Sequence, residues 1–173
     1  EAHDPETHLV PLAIDAARGC SGPLTVFGDD FDTADGTCIR DYVHVSDIAE
    51  AHVAALAAPA SASRFQVLNL GVGQGHSVRQ VLAAVERVLG QPVPHVMGAR
   101  RAGDPPRLVA DPTRARAVLG WTPRVSALDQ IVSDALRWSR FGGYGSGGLA
   151  SRGAGPETGP NGSDNRSFPS GLG

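Results

Sequence analysis

Two short stretches carry the side chains best suited to recognition chemistry. Arg40 follows a loop and opens an apolar run, and Arg101 lies in Arg100-Arg101-Ala102-Gly103-Asp104-Pro105-Pro106, where a glycine and two prolines restrict the backbone. A guanidinium fork matches phosphate oxygens bidentately, so two of them can clamp a diphosphate. An aspartate beside them can accept hydrogen bonds from ribose hydroxyls. An ordinary surface salt bridge between Arg101 and Asp104 fits the same pattern equally well.

A third stretch, Gly71-Val72-Gly73-Gln74-Gly75, sits where a strand should give way to a helix, as a dinucleotide loop would. Its spacing is GxGxG rather than GxGxxG, and no acidic residue follows about twenty positions on to meet a ribose. A tight strand-to-helix turn explains the glycines better. The six histidines show no metal-ligand spacing with Cys, Asp or Glu. Neither Cys20 nor Cys38 has an arranged base nearby, so both read as small buried hydrophobes rather than nucleophiles.

Composition narrows the chemistry further. All 15 cationic residues are arginines, so a P-loop, a Schiff base or a Tyr-Lys pair cannot be carried by this chain alone. The net charge of -3 argues against a nucleic-acid binder. No run approaches the roughly 18 apolar residues of a membrane helix. The acidic opening EAHDPETH does not fit a secretory signal, and two cysteines make no disulfide framework, which together predict a cytoplasmic protein. Glu1 leads the chain and Met97 is the only methionine, which predicts a piece of something longer or a processed product.

The elements that must position these residues read as short strands alternating with helices, an α/β or α+β class. Thr7 is the expected cap of a helix over 8–18, closed by Gly19. A strand is expected over 24–27, then a loop turning at Gly36. The pattern Ile39, Val43, Val45 against Arg40, Tyr42, His44 predicts a strand over 39–45. Ser46 or Asp47 is the expected cap of an alanine-rich helix to about Ala58. Further strands are expected over 64–70 and 93–97. Ser77 should cap a helix ending at Gly90, Asp111-Pro112 one ending at Gly120, and Ser126 the last helix. Residues 141–173 hold 11 of the 22 glycines without apolar periodicity, which predicts a disordered tail behind a domain of residues 1–140.

With the elements in place, the motifs become recognisable. PETHLVPLAI, LTVFGDDFDTADGTCIRDYVHVSDIAEAHVAAL, NLGVGQGHSV and RRAGDPPRLVADPTRARAVLGW resemble, in order and spacing, the C-terminal half of the UDP-glucose 4-epimerases, extended short-chain dehydrogenase/reductases. The similarity covers roughly residues 1–140, and the block TxDGTxxRDYxHVxD is its most specific part. The resemblance implies an α/β fold, the C-terminal substrate-binding part of such an enzyme, with most of the NAD-binding Rossmann half missing. That half carries the family's NAD loop and Tyr-x-x-x-Lys pair. In the family, NAD takes hydride from C4 of the hexose while the tyrosine removes the hydroxyl proton. The 4-keto sugar then turns about its link to UDP and receives the hydride on its other face. The partners implied are UDP-glucose and UDP-galactose, and the full-length enzyme is expected to be a homodimer.

Carried over position by position, the resemblance gives Arg40 and Arg101 the diphosphate and Asp104 the uridine ribose. Thr25, Val26 and Phe27 meet the uracil through backbone and aromatic contacts, and Val78 packs beside the nucleotide. Leu9 lines the diphosphate and sugar passage. His8 stands where some members have asparagine. Leu108 stands where others carry tyrosine or a smaller residue that influences tolerance of N-acetylated sugars. Two other readings compete: a related UDP-N-acetylglucosamine 4-epimerase or sugar-nucleotide dehydratase, and a non-catalytic nucleotide-sugar binding module. A substrate panel separates the first, and an in-frame Rossmann half upstream would exclude the second.

Overall fold

In chain order the elements are α1 (Leu9–Ala17), β1 (Leu24–Phe27), β2 (Ile39–Arg40), α2 (Val45–Ala57), β3 (His76–Ser77), α3 (Val78–Leu89), β4 (His95–Gly98), β5 (Arg107–Leu108), α4 (Thr113–Leu119) and α5 (Leu128–Phe141). The structure, a computed structural model, describes residues 5–58 and 65–141. Arg64 of the expected strand and the expected tail beyond Phe141 lie outside them.

The helix with the clearest sequence signal, α3, is also the centre of the fold. Ser77 Oγ accepts from the Gln80 amide at 3.2 Å while Gln80 Oε1 accepts from the Ser77 amide at 2.9 Å, a reciprocal cap that satisfies two otherwise orphaned donors. Gly90 closes the helix at φ 73°, a left-handed conformation that costs glycine little. Between these ends the stripe Val81, Leu82, Val85 is buried against Ala13 and Ile14 of α1, Leu24 and Val26 of β1, and Val132 and Leu136 of α5. Burying each such aliphatic side chain contributes roughly 1.5–3 kcal/mol, so this cluster dominates stability.

Two small sheets flank that core. β1 pairs in parallel with β4, Leu24 opposite His95 through Phe27 opposite Gly98. β2 lies between β3 and β5, antiparallel to the first and parallel to the second, so Arg40 stands beside His76 on one side and Leu108 on the other. A second, smaller cluster joins Ala51 of α2, Ala115 of α4 and Trp121, with Leu68, Leu70 and Leu119 against it.

Several local expectations are corrected. Strand pairing stops at Arg40: Tyr42 packs on the core, His44 is buried, and Val45 is exposed as the first residue of α2. The alternation over 39–45 thus ends in a helix start. The N-cap of α2 is His44, whose Nδ1 accepts from the Ser46 amide at 3.0 Å, not Ser46 or Asp47. At α1 the first residue is preceded by His8, and the Glu6 carboxylate rather than Thr7 takes the amides of Thr7 and His8, each at 2.7 Å. Ser126 directs its hydroxyl to Asp47 and accepts from the His44 amide, so it does not cap α5. Residues 65–70 form no strand and belong to neither of the two sheets found among the described residues. Cys20 is exposed and Cys38 half-buried, so the expected burial fails fully for the first.

Candidate functional site

The strand β1 alternates as its sequence requires: Leu24 and Val26 are buried, Thr25 and Phe27 face outward. The amides of Leu24 and Gly28 donate to Pro94 O and Gly98 O on the β4 side, both at 2.9 Å. By the alternation of a parallel ladder, the backbone groups of Thr25 and Phe27 therefore point to the opposite edge. Among the described residues no strand occupies that edge. Val26 faces the core and contributes packing. Phe27 is 38% exposed, and the Arg101 guanidinium lies over its ring with Cζ 3.8 Å from the centroid. An aromatic face, an open row of amides and carbonyls, and a cation thus meet at one place.

Arg40 ends β2 and is held from several directions. Its Nη1 donates to Ile39 O at 2.8 Å and to Pro105 O at 2.9 Å, and Nη2 stands 3.6 Å from Asp104 Oδ1. Both protons of Nη1 are engaged, which leaves the edge formed by Nε and Nη2 for an oxyanion. Asp104 therefore pairs with Arg40, not with Arg101 as an ordinary salt-bridge reading would have it. Its link to Arg101 is the backbone turn in which the Asp104 amide donates to Arg101 O at 3.3 Å.

The structure places the remaining expected residues as follows. Leu108, 62% exposed, stands beside Arg40 on β5. Val78 heads α3, its amide donating to Cys38 O at 3.2 Å, and packs with Leu9 against the cluster that contains Val26. His8 is exposed at the head of α1 with Nδ1 2.7 Å from Glu6 Oε1. Two side-chain contacts thus join expected residues directly, Phe27 with Arg101 and Arg40 with Asp104, and backbone pairing adds Asp104 to Arg101 and Arg40 to Leu108. Leu9, Val26 and Val78 are related through the core instead.

The opening of the most specific block, Thr33-Ala34-Asp35-Gly36-Thr37, serves as scaffold. Asp35 accepts from the Thr37 amide at 2.9 Å, from its hydroxyl at 2.7 Å, and from the Ser77 hydroxyl. Partial burial works against the charge, yet the Ser77 and Thr37 hydrogen bonds prevail and hold this carboxyl below the usual range. Gly36 has φ 80°, and a Cβ there would lie 2.1 Å from Asp29 O. Only glycine fits, and the turn ties the start of β2 to the cap of α3.

The glycine-rich turn is filled in the same way. The Asp41 carboxylate accepts from the amides of Val72 and Gly73, both at 3.0 Å, and from Ala110 at 3.3 Å. A Cβ at Gly71 would meet Ala110 Cβ at 2.5 Å and Asp41 Oδ2 at 2.6 Å. The amides a pyrophosphate would need are already bonded to Asp41, so the turn fits no dinucleotide. Among the described residues no three His, Cys, Asp or Glu side chains gather as a metal ion would require. No helix there is long and apolar enough to cross a membrane.

Sequence reasoning passed over Arg100 and Asp41. Arg100 lies over the Phe31 ring, Cζ 4.2 Å from the centroid, with Nε 3.1 Å from Asp30 Oδ1. Its partner is 70 residues away, so its neighbour Arg101 gave the only local signal.

A family model described as the NAD dependent epimerase/dehydratase family matches residues 1–71. The UDP-glucose 4-epimerase of Lactobacillus helveticus is 44% identical over 140 residues, 81% of this chain and 42% of that protein. Among solved structures, UDP-glucose 4-epimerase from Brucella ovis in complex with NAD is similar at a TM-score of 0.71 and 51% identity, over 76% of this chain and 41% of that one. The enzyme from Bifidobacterium longum, in complex with NAD+ and UDP, gives a TM-score of 0.72 and 38% identity over 77% of this chain and 39% of that one. The chain thus spans about two fifths of the length of the relatives it matches. With its mixed α/β architecture and these likenesses in sequence and structure, the chain belongs to the NAD dependent epimerase/dehydratase family.

Proposed function

We propose that residues 1–140 are the nucleotide-sugar grip of a UDP-glucose 4-epimerase, an isomerase that interconverts UDP-glucose and UDP-galactose through a 4-keto intermediate. The observation that carries this reading is the pairing of each arginine with a group of complementary use: Arg101 lies on Phe27, and Arg40 beside Asp104. A ring for a base, a carboxylate for ribose hydroxyls and two guanidiniums for phosphates are the parts a nucleoside diphosphate needs. In this reading the Nε–Nη2 edge of Arg40 and the guanidinium of Arg101 take the diphosphate. Asp104 takes the ribose. The outward edge of Thr25 and Phe27 meets the uracil, with Val26 and Val78 as packing beneath the nucleotide. His8, Leu9 and Leu108 line the passage of the sugar.

The division between firm and loose contacts matches the reaction. Charged and directional groups face the UDP, which must stay fixed. Leu9 and Leu108 offer non-directional apolar contact, which lets a 4-keto hexose turn about its link to the diphosphate. NAD is implied by the family's name and held by the Brucella ovis neighbour. The described residues form no cradle for it, since the amides of the glycine turn are bonded to Asp41. NAD binding and the proton-transferring pair are assigned to a part of the enzyme outside this chain, and the whole enzyme is read as a homodimer.

Calorimetric titration of the full 173-residue chain tests the reading. UDP, UDP-glucose and UDP-galactose should bind with affinities close to one another, and NAD should give no binding heat. The chain alone should not interconvert the two sugars. Absence of UDP binding by a folded chain, or interconversion by the chain alone, would overturn it.

A further inference from the structure

Two consecutive arginines stack on two aromatic rings four residues apart, and only one of the two arginines is assigned to the ligand. Arg101 lies on Phe27, which is 38% exposed, whereas Arg100 lies on Phe31, which is buried. Arg100 is fastened at three points. Nε donates to Asp30 Oδ1 at 3.1 Å, Nη2 donates to the Asp30 carbonyl, and Cζ is 4.2 Å from the Phe31 centroid. Gly28 leaves room for both side chains: a Cβ added there would be 2.6 Å from Phe31 Cε2 and 3.3 Å from Arg100 Cβ.

These fastenings join two segments whose spacing matters. Residues 28–31 follow directly from Phe27 at the end of β1, and Arg100 directly precedes Arg101 and the loop that carries Asp104. The Gly28–Gly98 hydrogen bond extends the β1–β4 ladder only to the start of both loops. Beyond it, Arg100 ties the second loop to the first. An exposed Arg–Asp pair alone contributes little, but the ring and the backbone carbonyl fix the direction of the guanidinium as well as its charge.

We propose that Arg100 is a positioning residue for the nucleotide site: it sets the distance between the base-recognising Phe27 and the phosphate-recognising Arg101 without touching the ligand. The proposal rests on the reading of Phe27 and Arg101 as UDP contacts. It assigns Arg100 a specific energetic signature. A ligand that spans both ends of the site benefits from their fixed spacing, whereas a ligand that uses one end does not.

The test is a comparison of UDP, uridine and inorganic pyrophosphate binding to the full chain by NMR titration. Arg100→Leu should weaken UDP about 3- to 10-fold, the effect of losing one exposed to partly desolvated cation–π contact, while uridine and pyrophosphate change less than about two-fold. Asp30→Ala should reproduce part of the UDP loss, and adding it to Arg100→Leu should cost nothing more, because both act through one link. Arg100→Lys, which keeps the charge over Phe31 but not the fork, should fall between. Equal loss for all three ligands would mean that Arg100 is merely structural, and unchanged UDP affinity would mean that it positions nothing; either overturns the proposal. Arg101→Leu separates this from the underlying reading. If that variant binds UDP like the parent, the nucleotide assignment itself fails; if it weakens UDP while Arg100→Leu does not, only the positioning role fails.

Discussion

Arg40 and Arg101 are both read as diphosphate ligands, yet their surroundings predict that leucine at the two positions will behave differently. Arg40 also braces the protein. Its Nη1 holds the carbonyls of Ile39 and Pro105, and Nη2 faces Asp104. Arg40→Leu removes those bonds and leaves Pro105 O and Asp104 without their cation, so a stability loss of about 1–2 kcal/mol is expected. Arg101 makes one ring contact at an exposed position, so Arg101→Leu should cost no more than about 0.5–1 kcal/mol. For binding, a charged hydrogen bond to phosphate contributes about 1.5–3 kcal/mol, which is a loss of roughly 10- to 150-fold in affinity. Arg40→Leu should therefore lower both the urea midpoint and UDP affinity, while Arg101→Leu lowers UDP affinity on a nearly unchanged fold. Lysine should restore only part at either site, because a point charge does not reproduce the fork. UDP, UDP-glucose and UDP-galactose should lose affinity alike, since the contact is to the part they share. Calorimetry at fixed ionic strength with parallel urea melts provides both readings. If both leucine variants stay folded and bind UDP like the parent, these arginines are ordinary surface partners and the clamp is wrong.

Other parts of the molecule give predictions of their own. Asp47 is fully buried and accepts from the amides of Arg124 and Val125 and the hydroxyl of Ser126, so Asp47→Ala should cost about 3–5 kcal/mol, read as a lower urea midpoint with unchanged slope. Burial pushes the Tyr42 phenol up to about 12 from 10, with the Cys38 charge adding and Arg40 opposing. A raised acid favours folding while it stays protonated, so stability present below pH 10 should fall by about 2–3 kcal/mol as pH rises through 12, and Tyr42→Phe should remove that loss. Val45, Val53 and Leu56 on α2, with Phe65 and Val67 after it, are exposed apolar side chains, and such a surface favours association. The chain should sediment as concentration-dependent oligomers, Leu56→Glu with Val53→Glu should shift it toward monomer, and a strictly monomeric parent would refute this.

Local signals were legible where one element carries its own instructions. The four residues of β1, the Ser77 and Gly90 ends of α3, and the Gly120 end of α4 all depend on neighbours within a few positions, and all stand where the sequence puts them. What the sequence concealed is pairing across distance. Asp47 reads as a helix cap until Arg124, Val125 and Ser126, 77 to 79 residues on, fold over it. Asp41 reads as an unremarked acid until the glycine turn, 31 and 32 residues on, wraps it. The glycines do bend the chain, but not from a strand into a helix: among the described residues no strand leads directly into them and β3 follows, and Cβ atoms at Gly71 and Gly75 are excluded by the Asp41 carboxylate and the side chains of Ala110, Ile39 and Val109.

The strand expected over 64–70 fails for a different reason, and it bears on how the chain functions. Phe65 and Val67 have the residue types of a buried strand, yet they are exposed, while Leu68 and Leu70 reach the small cluster around Trp121. β-propensity describes fit to a pleated, half-buried surface and does not create a sheet. Helix α2 is likewise half used: its Asp47 and Ala51 are buried while Val53 and Leu56 stand in solvent. Both segments therefore carry an apolar pattern that this chain leaves half used, and the chain covers about two fifths of the relatives it matches. The arginines read as phosphate contacts, by contrast, have partners within the chain: Arg40 has Pro105 and Asp104, and Arg101 has Phe27. The residues proposed as the nucleotide grip brace one another within the chain where the apolar segments do not, so UDP binding is expected of this chain and epimerisation is not.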